Sequence, residues 1–211
     1  MLTVKNLSKS FGSRVLWEEL GLTVEAGRML ALVGASGSGK TTLLNCMGLL
    51  EKPSGGQILF EGTDVTRLGV GRQRRFRRDK LGYLFQNYAL IENATVKANL
   101  DVARRRGTQA NYSQALERVG LIGRDKDKVH YLSGGEQQRV ALARLMVKQP
   151  ALVLADEPTG ALDSGNGAMV VDVLRQMSRE GCAVVIATHN NDVRDACDTA
   201  FDVHVQKEVS A

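Results

Sequence analysis

The 211-residue chain is 43% hydrophobic and 24% charged, ordinary globular values that allow one large domain with a sizeable apolar interior. Its formal net charge of +5 permits an acidic lipid or nucleic acid as neighbour without demanding either. No apolar run reaches the roughly 18 residues of a membrane-spanning helix, and the first residues lack a secretory-signal pattern, so a cytosolic location is the default expectation. Cys46, Cys182 and Cys197 are odd in number and lack CxxC spacing, which fits reduced thiols better than a disulfide framework or a zinc site.

In chain order, the alternation in Leu2–Leu7 and again in Gly21–Glu25 predicts half-exposed antiparallel strands. Between them Phe11 sits in a polar turn. Its ring either folds back on its own sheet or offers a flat face to a nucleotide base. Met29–Val33 is a short apolar run of the kind that forms a buried parallel strand. It leads into Gly34-Ala35-Ser36-Gly37-Ser38-Gly39-Lys40-Thr41-Thr42, a full match to the Gly-x-x-x-x-Gly-Lys-[Ser/Thr] phosphate loop. Helix-forming residues follow. Glycines let successive backbone N–H groups converge on phosphate oxygens, and the helix N-terminus adds partial positive charge. In that pattern Lys40 reaches the β- and γ-phosphates and the Thr41 hydroxyl ligates Mg²⁺.

Gln57–Gly62 reads as another strand joining the N-terminal antiparallel patch. Gly71–Lys80 is the most basic segment, either a patch for phosphates or a membrane surface, or a solvated helix face beside a partner protein. Leu81–Phe85 is strand-like and delivers Gln86 at its carboxyl end, where open α/β sheets bind ligands. From Asn87 to Val129 the apolar period is helical, with Val96, Leu100, Val102, Ala103, Ala115, Leu116, Val119 and Leu121 on the inner face. Ser133-Gly134-Gly135 then opens a second helix N-terminus suited to close approach of an anion, or simply an ordinary N-cap.

Ala151–Asp156 is a buried strand ending in Asp156 and Glu157, two carboxylates that are costly there unless a cation or hydrogen bonds occupy them. An Asp in that place holds Mg²⁺ and the adjacent Glu polarises an attacking water. A helix is expected from about Gly165 to Glu180, then a strand at Cys182–Ala187 ending in Thr188-His189, with His189 a candidate γ-phosphate contact. Phe201–Val205 alternates like an edge strand.

Gly34–Thr42, Gln86, Leu132-Ser133-Gly134-Gly135-Glu136, Leu152–Glu157, Ala161-Leu162-Asp163 and His189, in this order, resemble the nucleotide-binding subunit of ABC transporters over essentially the whole chain. The resemblance implies an α/β fold with a RecA-like P-loop NTPase core. It adds an antiparallel β-subdomain, about 1–28 and 55–66, and an inserted α-helical subdomain, about 87–148. It implies ATP and Mg²⁺ as ligands, with Phe11 stacking on adenine, Thr41, Gln86 and Asp156 around the metal, Glu157 on the water and His189 on the γ-phosphate. It further implies a head-to-tail homodimer in which Ser133, Gly134 and Gly135 close the partner's pocket and Asp163 makes a cross-dimer contact. Leu84-Phe85-Gln86 with Asp156–Asp163 looks like the subgroup of MacB, the lipoprotein-releasing LolD, the division protein FtsE and the haem and bacteriocin exporters. Those ATPases serve membrane permeases with a large extracytoplasmic domain at the cytoplasmic face of the bacterial inner membrane. Two rivals remain: a soluble ABC ATPase acting on nucleic acid, which usually carries paired ATPase domains or long coiled-coil insertions, and an ATP-dependent clamp of a division-type complex. No nucleic-acid partner is expected.

Overall fold

The computed structural model describes residues 1–104, 111–160 and 164–209. Its centre is a six-stranded sheet in the order β10-β9-β3-β8-β7-β6, built from β3 (Met29–Val33), β6 (Leu81–Leu84), β7 (Leu152–Asp156), β8 (Ala183–Ala187), β9 (Thr199–Asp202) and β10 (Lys207–Val209). All neighbours are parallel except β10, which runs antiparallel to β9. Every residue of β7 and β8 is buried. Successive side chains of these strands enter opposite cores. Leu30, Leu32, Leu152, Leu154 and Val185 pack with one set of elements, and Ala31, Val153, Ala155, Val184 and Ile186 with another. A sheet covered on both faces needs continuous apolar strands, which is why these runs lack the polar alternation of the N-terminal segments. Each fully buried Leu or Val contributes about 1.5–3 kcal/mol relative to exposure.

On the first face lie α1 (Lys40–Met47) and a second sheet, antiparallel, in the order β2-β1-β4-β5: β1 (Leu2–Phe11), β2 (Arg14–Val24), β4 (Gly55–Phe60) and β5 (Thr63–Asp64). On the other face lie α5 (Gly134–Lys148) and α6 (Ser164–Arg179), with α3 (Val96–Asp101) and α4 (Tyr112–Arg118) packed against α5. The basic segment forms α2 (Val70–Asp79), which buries Phe76 edge-on against Phe60 and leaves Arg72, Arg74, Arg75 and Arg78 exposed. α7 (Asn191–Asp195) follows β8 and is capped by Asn190.

Two sequence expectations change. Val102 is 68% exposed, because α3 stops at Asp101 and the helical period stops with it. Phe201–Val205 is not an edge strand. β9 is an inner strand between β3 and β10, and the chain turns at once because Asp202 Oδ1 accepts from His204 N at 2.8 Å and Val205 N at 3.1 Å. The alternation is real, with Phe201 and Val203 buried, but the Asx turn ends the strand first.

Cys46, Cys182 and Cys197 are all buried, and burial pushes each thiol up to about 12. Titration with a thiol-reactive disulfide at pH 8 is expected to find no fast-reacting group in the native protein and all three Cys in denaturant; a fast native thiol would contradict this packing.

Candidate nucleotide site

The loop 34–39 leaves the carboxyl end of β3 and enters α1 at Lys40. Gly34, Gly37 and Gly39 have φ of 133, 80 and 94°, a region that L side chains rarely adopt. Gly39 is constrained twice over: a Cβ there would lie 2.5 Å from Leu16 Cδ2 and 2.7 Å from Trp17 Nε1. Strand β2 thus packs directly behind the loop. Lys40 Nζ lies across the loop, donating to Gly34 O at 2.7 Å and Ala35 O at 3.2 Å. Ser36 and Gly37 are exposed at its tip, while Ser38 Oγ is buried without a hydrogen-bond partner. The residues in this cradle suit a polyanion: a cation, a helix N-terminus and a hydroxyl in need of a partner.

The neighbouring strands deliver the acids. Thr41 Oγ1 donates to Asp156 Oδ1 at 3.1 Å, joining the start of α1 to the end of β7. Burial raises the Asp156 carboxyl above its usual range; the Thr41 hydrogen bond opposes this, Glu157 adds to it and Lys40 opposes it. A hydroxyl and an under-compensated carboxylate are oxygen donors that suit Mg²⁺, which takes few protein ligands and leaves room for phosphate and water. Glu157 stands one residue beyond the strand at φ 45°, uncommon for a residue with a side chain, and its N–H donates to Ala187 O at 2.9 Å. His189, beyond β8, places Nδ1 2.9 Å from Glu157 Oε1, and its backbone N–H lies 3.4 Å from Oε2. The Glu side chain is therefore aimed by the segment that follows the next strand.

Gln86 is exposed just past β6, and the segment after it is gripped from two helices. Asn99, 1% exposed on α3, accepts from Ile91 N at 2.8 Å and donates to Ile91 O at 3.1 Å. Arg144 on α5 donates to Ala89 O at 2.6 Å and Tyr88 O at 2.8 Å. The same α5 begins at Ser133, which closes a capping box with Glu136: Ser133 N to Oε2 is 2.8 Å and Glu136 N to Ser133 Oγ is 3.3 Å. Arg124 braces that glutamate at 3.0 Å. Gly134 and Gly135 form the first turn of α5. Their hydrogen-bonded surroundings are local to the helical layer, whereas Lys40, Thr41, Asp156, Glu157 and His189 converge at the carboxyl ends of β3, β7 and β8. Thr42 follows in α1, half-buried, and Phe11 ends β1 as a 52% exposed residue. Asp163 lies outside the described residues. The sequence offered no motif for Leu16 and Trp17, whose role comes from β2 lying against Gly39, nor for Tyr83, whose hydroxyl donates to Asn45 Oδ1 at 2.9 Å and ties β6 to α1.

Two expectations follow. Gly39→Ala forces a Cβ into Leu16 and Trp17 at positive φ, so nucleotide affinity should fall at least about tenfold, with lower thermal stability; unchanged nucleotide affinity by calorimetry would refute the close packing. Because the Asp156 value is raised in the folded state, the folded chain holds that proton more tightly than the unfolded one. Charging the carboxyl therefore costs stability, a cost absent below about pH 3.9 and complete above the raised folded value. Asp156→Asn should then raise the melting temperature of the metal-free protein at pH 7 while abolishing Mg²⁺-dependent turnover; a lower melting temperature would count against it.

The family model for "ABC transporter" matches residues 17–160. The macrolide export ATP-binding/permease protein MacB of Campylobacter jejuni is 37% identical over 196 residues, 90% of this chain and 31% of that protein. The pyoverdine export ATP-binding/permease protein PvdT of Pseudomonas aeruginosa is 39% identical over 223 residues, 100% of this chain and 33% of that protein. The chain spans about a third of the length of these curated relatives. Among solved structures, the dimeric ATP-binding cassette MJ0796 in a post-hydrolysis state bound to ADP and Pi superposes with a TM-score of 0.88 at 31% identity, covering 100% of this chain and 98% of that one. The family model spans more than half of the sequence, and these relatives are well above 30% identical, so the chain belongs to the ABC transporter family.

Proposed function

We propose that the chain binds ATP with Mg²⁺ on residues 34–42 and hydrolyses it between two copies arranged head to tail, driving a membrane permease. The observation that carries this reading is the meeting of three strand ends: the Thr41–Asp156 contact at 3.1 Å beside the Glu157–His189 contact at 2.9 Å. Thr41, Asp156 and Gln86 would hold the metal, whose charge would offset that of the phosphates. Lys40 would exchange its two loop carbonyls for phosphate oxygens. Glu157, held by His189, would take the hydrogen bond of an attacking water, and the exposed His189 ring would reach the γ-phosphate. Ser133, Gly134 and Gly135 lie in the helical layer, which supports their serving a second copy's pocket, with Asp163 bridging the two. The dimeric state of the MJ0796 cassette supports the same arrangement.

The names of the relatives support export, and the subgroup resemblance supports a partner with a large extracytoplasmic domain, carrying haem, an antimicrobial peptide or a lipoprotein. Among the described residues no helix is long and apolar enough to cross a membrane. The relatives' names as export ATP-binding/permease proteins support a place at the inner-membrane face. Beside Gln86 a cleft of about 290 Å³, lined by Leu50, Tyr83, Phe85, Arg144 and Lys148, supports a permease contact, since it touches the segment gripped by Arg144. Burial, with Arg144 adding, pushes Lys148 down to about 8, a cost that an acidic group on the partner would relieve.

Glu157→Gln should lower turnover about 10²-fold or more while ATP-induced dimerisation survives. The check is an ATPase assay paired with size-exclusion chromatography; wild-type turnover no faster than the variant's, with and without a permease, would sink the reading.

A further inference from the structure

Phe11 is exposed, yet one feature of its surroundings is unusual for a ring at the tip of a hairpin. Lys9, two residues earlier on the same strand, is only 6% exposed, and its Nζ lies 4.5 Å from the centroid of the Phe11 ring. The ammonium is not free to leave. It donates to Glu51 Oε1 at 2.5 Å and to Lys52 O at 2.8 Å, both in the segment that follows α1. One end of α1 therefore opens at Lys40 in the glycine loop, and the segment beyond its other end fixes a cation against the aromatic ring. At 1.5 Å per residue an eight-residue helix is about 12 Å long, a length comparable with the reach from a nucleotide's base to its terminal phosphates.

We propose that Lys9, held by Glu51, is a positioning residue for the nucleotide base. It docks on one face of the Phe11 ring, fixes its orientation and leaves the rest of the ring to stack on adenine. The proposal rests on the reading of Phe11 as the base platform. Its physical content is pre-organisation. A phenyl ring on an exposed hairpin loses rotamer freedom when it stacks, and a buried cation over its face removes that freedom beforehand. The quadrupole of the ring attracts the ammonium, and the attraction is stronger for a desolvated cation than for an exposed one. Because Lys9 reaches Phe11 rather than the phosphates, its effect should be confined to ligands that carry a base. Glu51, with its side chain 40% exposed, neutralises the buried ammonium and sets where it sits.

The test is calorimetric titration of the purified chain with a non-hydrolysable ATP analogue and, separately, with inorganic tripolyphosphate, both with Mg²⁺. For Lys9→Met the affinity for the analogue should fall about tenfold while that for tripolyphosphate stays within about twofold. Lys9→Arg, which keeps both the charge and a face for the ring, should restore most of the loss. Glu51→Gln, at a more exposed position, should show the same selectivity at smaller size and serves should Lys9→Met not fold. Equal losses for both ligands, or none for either, would overturn the proposal. Phe11→Ala in the same assay separates the two layers of the reading. If Phe11→Ala leaves the ratio of the two affinities unchanged, the base platform itself is wrong. If Phe11→Ala changes that ratio and neither Lys9→Met nor Glu51→Gln does, only the role of Lys9 fails.

Discussion

The structure depends on a sheet buried on both faces. Strands β3, β7 and β8 sit between α1 with the antiparallel sheet on one side and α5 with α6 on the other, so along their length they tolerate nothing polar. Polar chemistry is pushed to the strand ends, where backbone groups are unpaired and helices begin. The phosphate loop, Asp156, Glu157 and His189 all appear within a few residues of a strand's carboxyl end for this reason. Parallel pairing then sets their spacing: Asp156 lies opposite Ala187 in the β7–β8 ladder, which brings His189 to Glu157.

The acids also show what burying a carboxylate costs. Asp156 is buried with one hydroxyl and a distant cation as compensation, and its carboxyl rises accordingly. Such under-compensation is typical of a site that meets its counter-charge only when a ligand arrives. Glu157 is kept in a strained backbone conformation by its bond to Ala187 O, so its direction is set before any ligand binds.

The helical layer adds a mechanical link. α5 starts at the Ser133 capping box and, near its other end, Arg144 grips the carbonyls of Tyr88 and Ala89 beyond Gln86. One helix thus physically joins the Gln86 segment to the Ser133–Gly135 turn. In the head-to-tail dimer proposed above, that link would couple events beside one nucleotide to closure over another.

Much of this was legible in the chain. The spacing of Gly34, Gly39, Lys40 and Thr41, the apolar run ending in Asp156-Glu157 and the Ser133-Gly134-Gly135 helix start are local patterns, set by φ preference, by burial and by the unpaired N–H groups of helix ends. Two expectations failed where an element ended before the apolar period did: Asp202 turned the chain before an edge strand could run to Val205, and α3 ended before Val102. What only the tertiary structure decided is which distant residues support the site. Trp17 and Leu16 press on Gly39, and Lys9 reaches Phe11 and Glu51, because the β1–β2 register sets Lys9 opposite Trp17 and lays both strands over α1. No short-range pattern encodes those contacts, since they join segments up to 42 residues apart whose meeting depends on how two sheets share one helix.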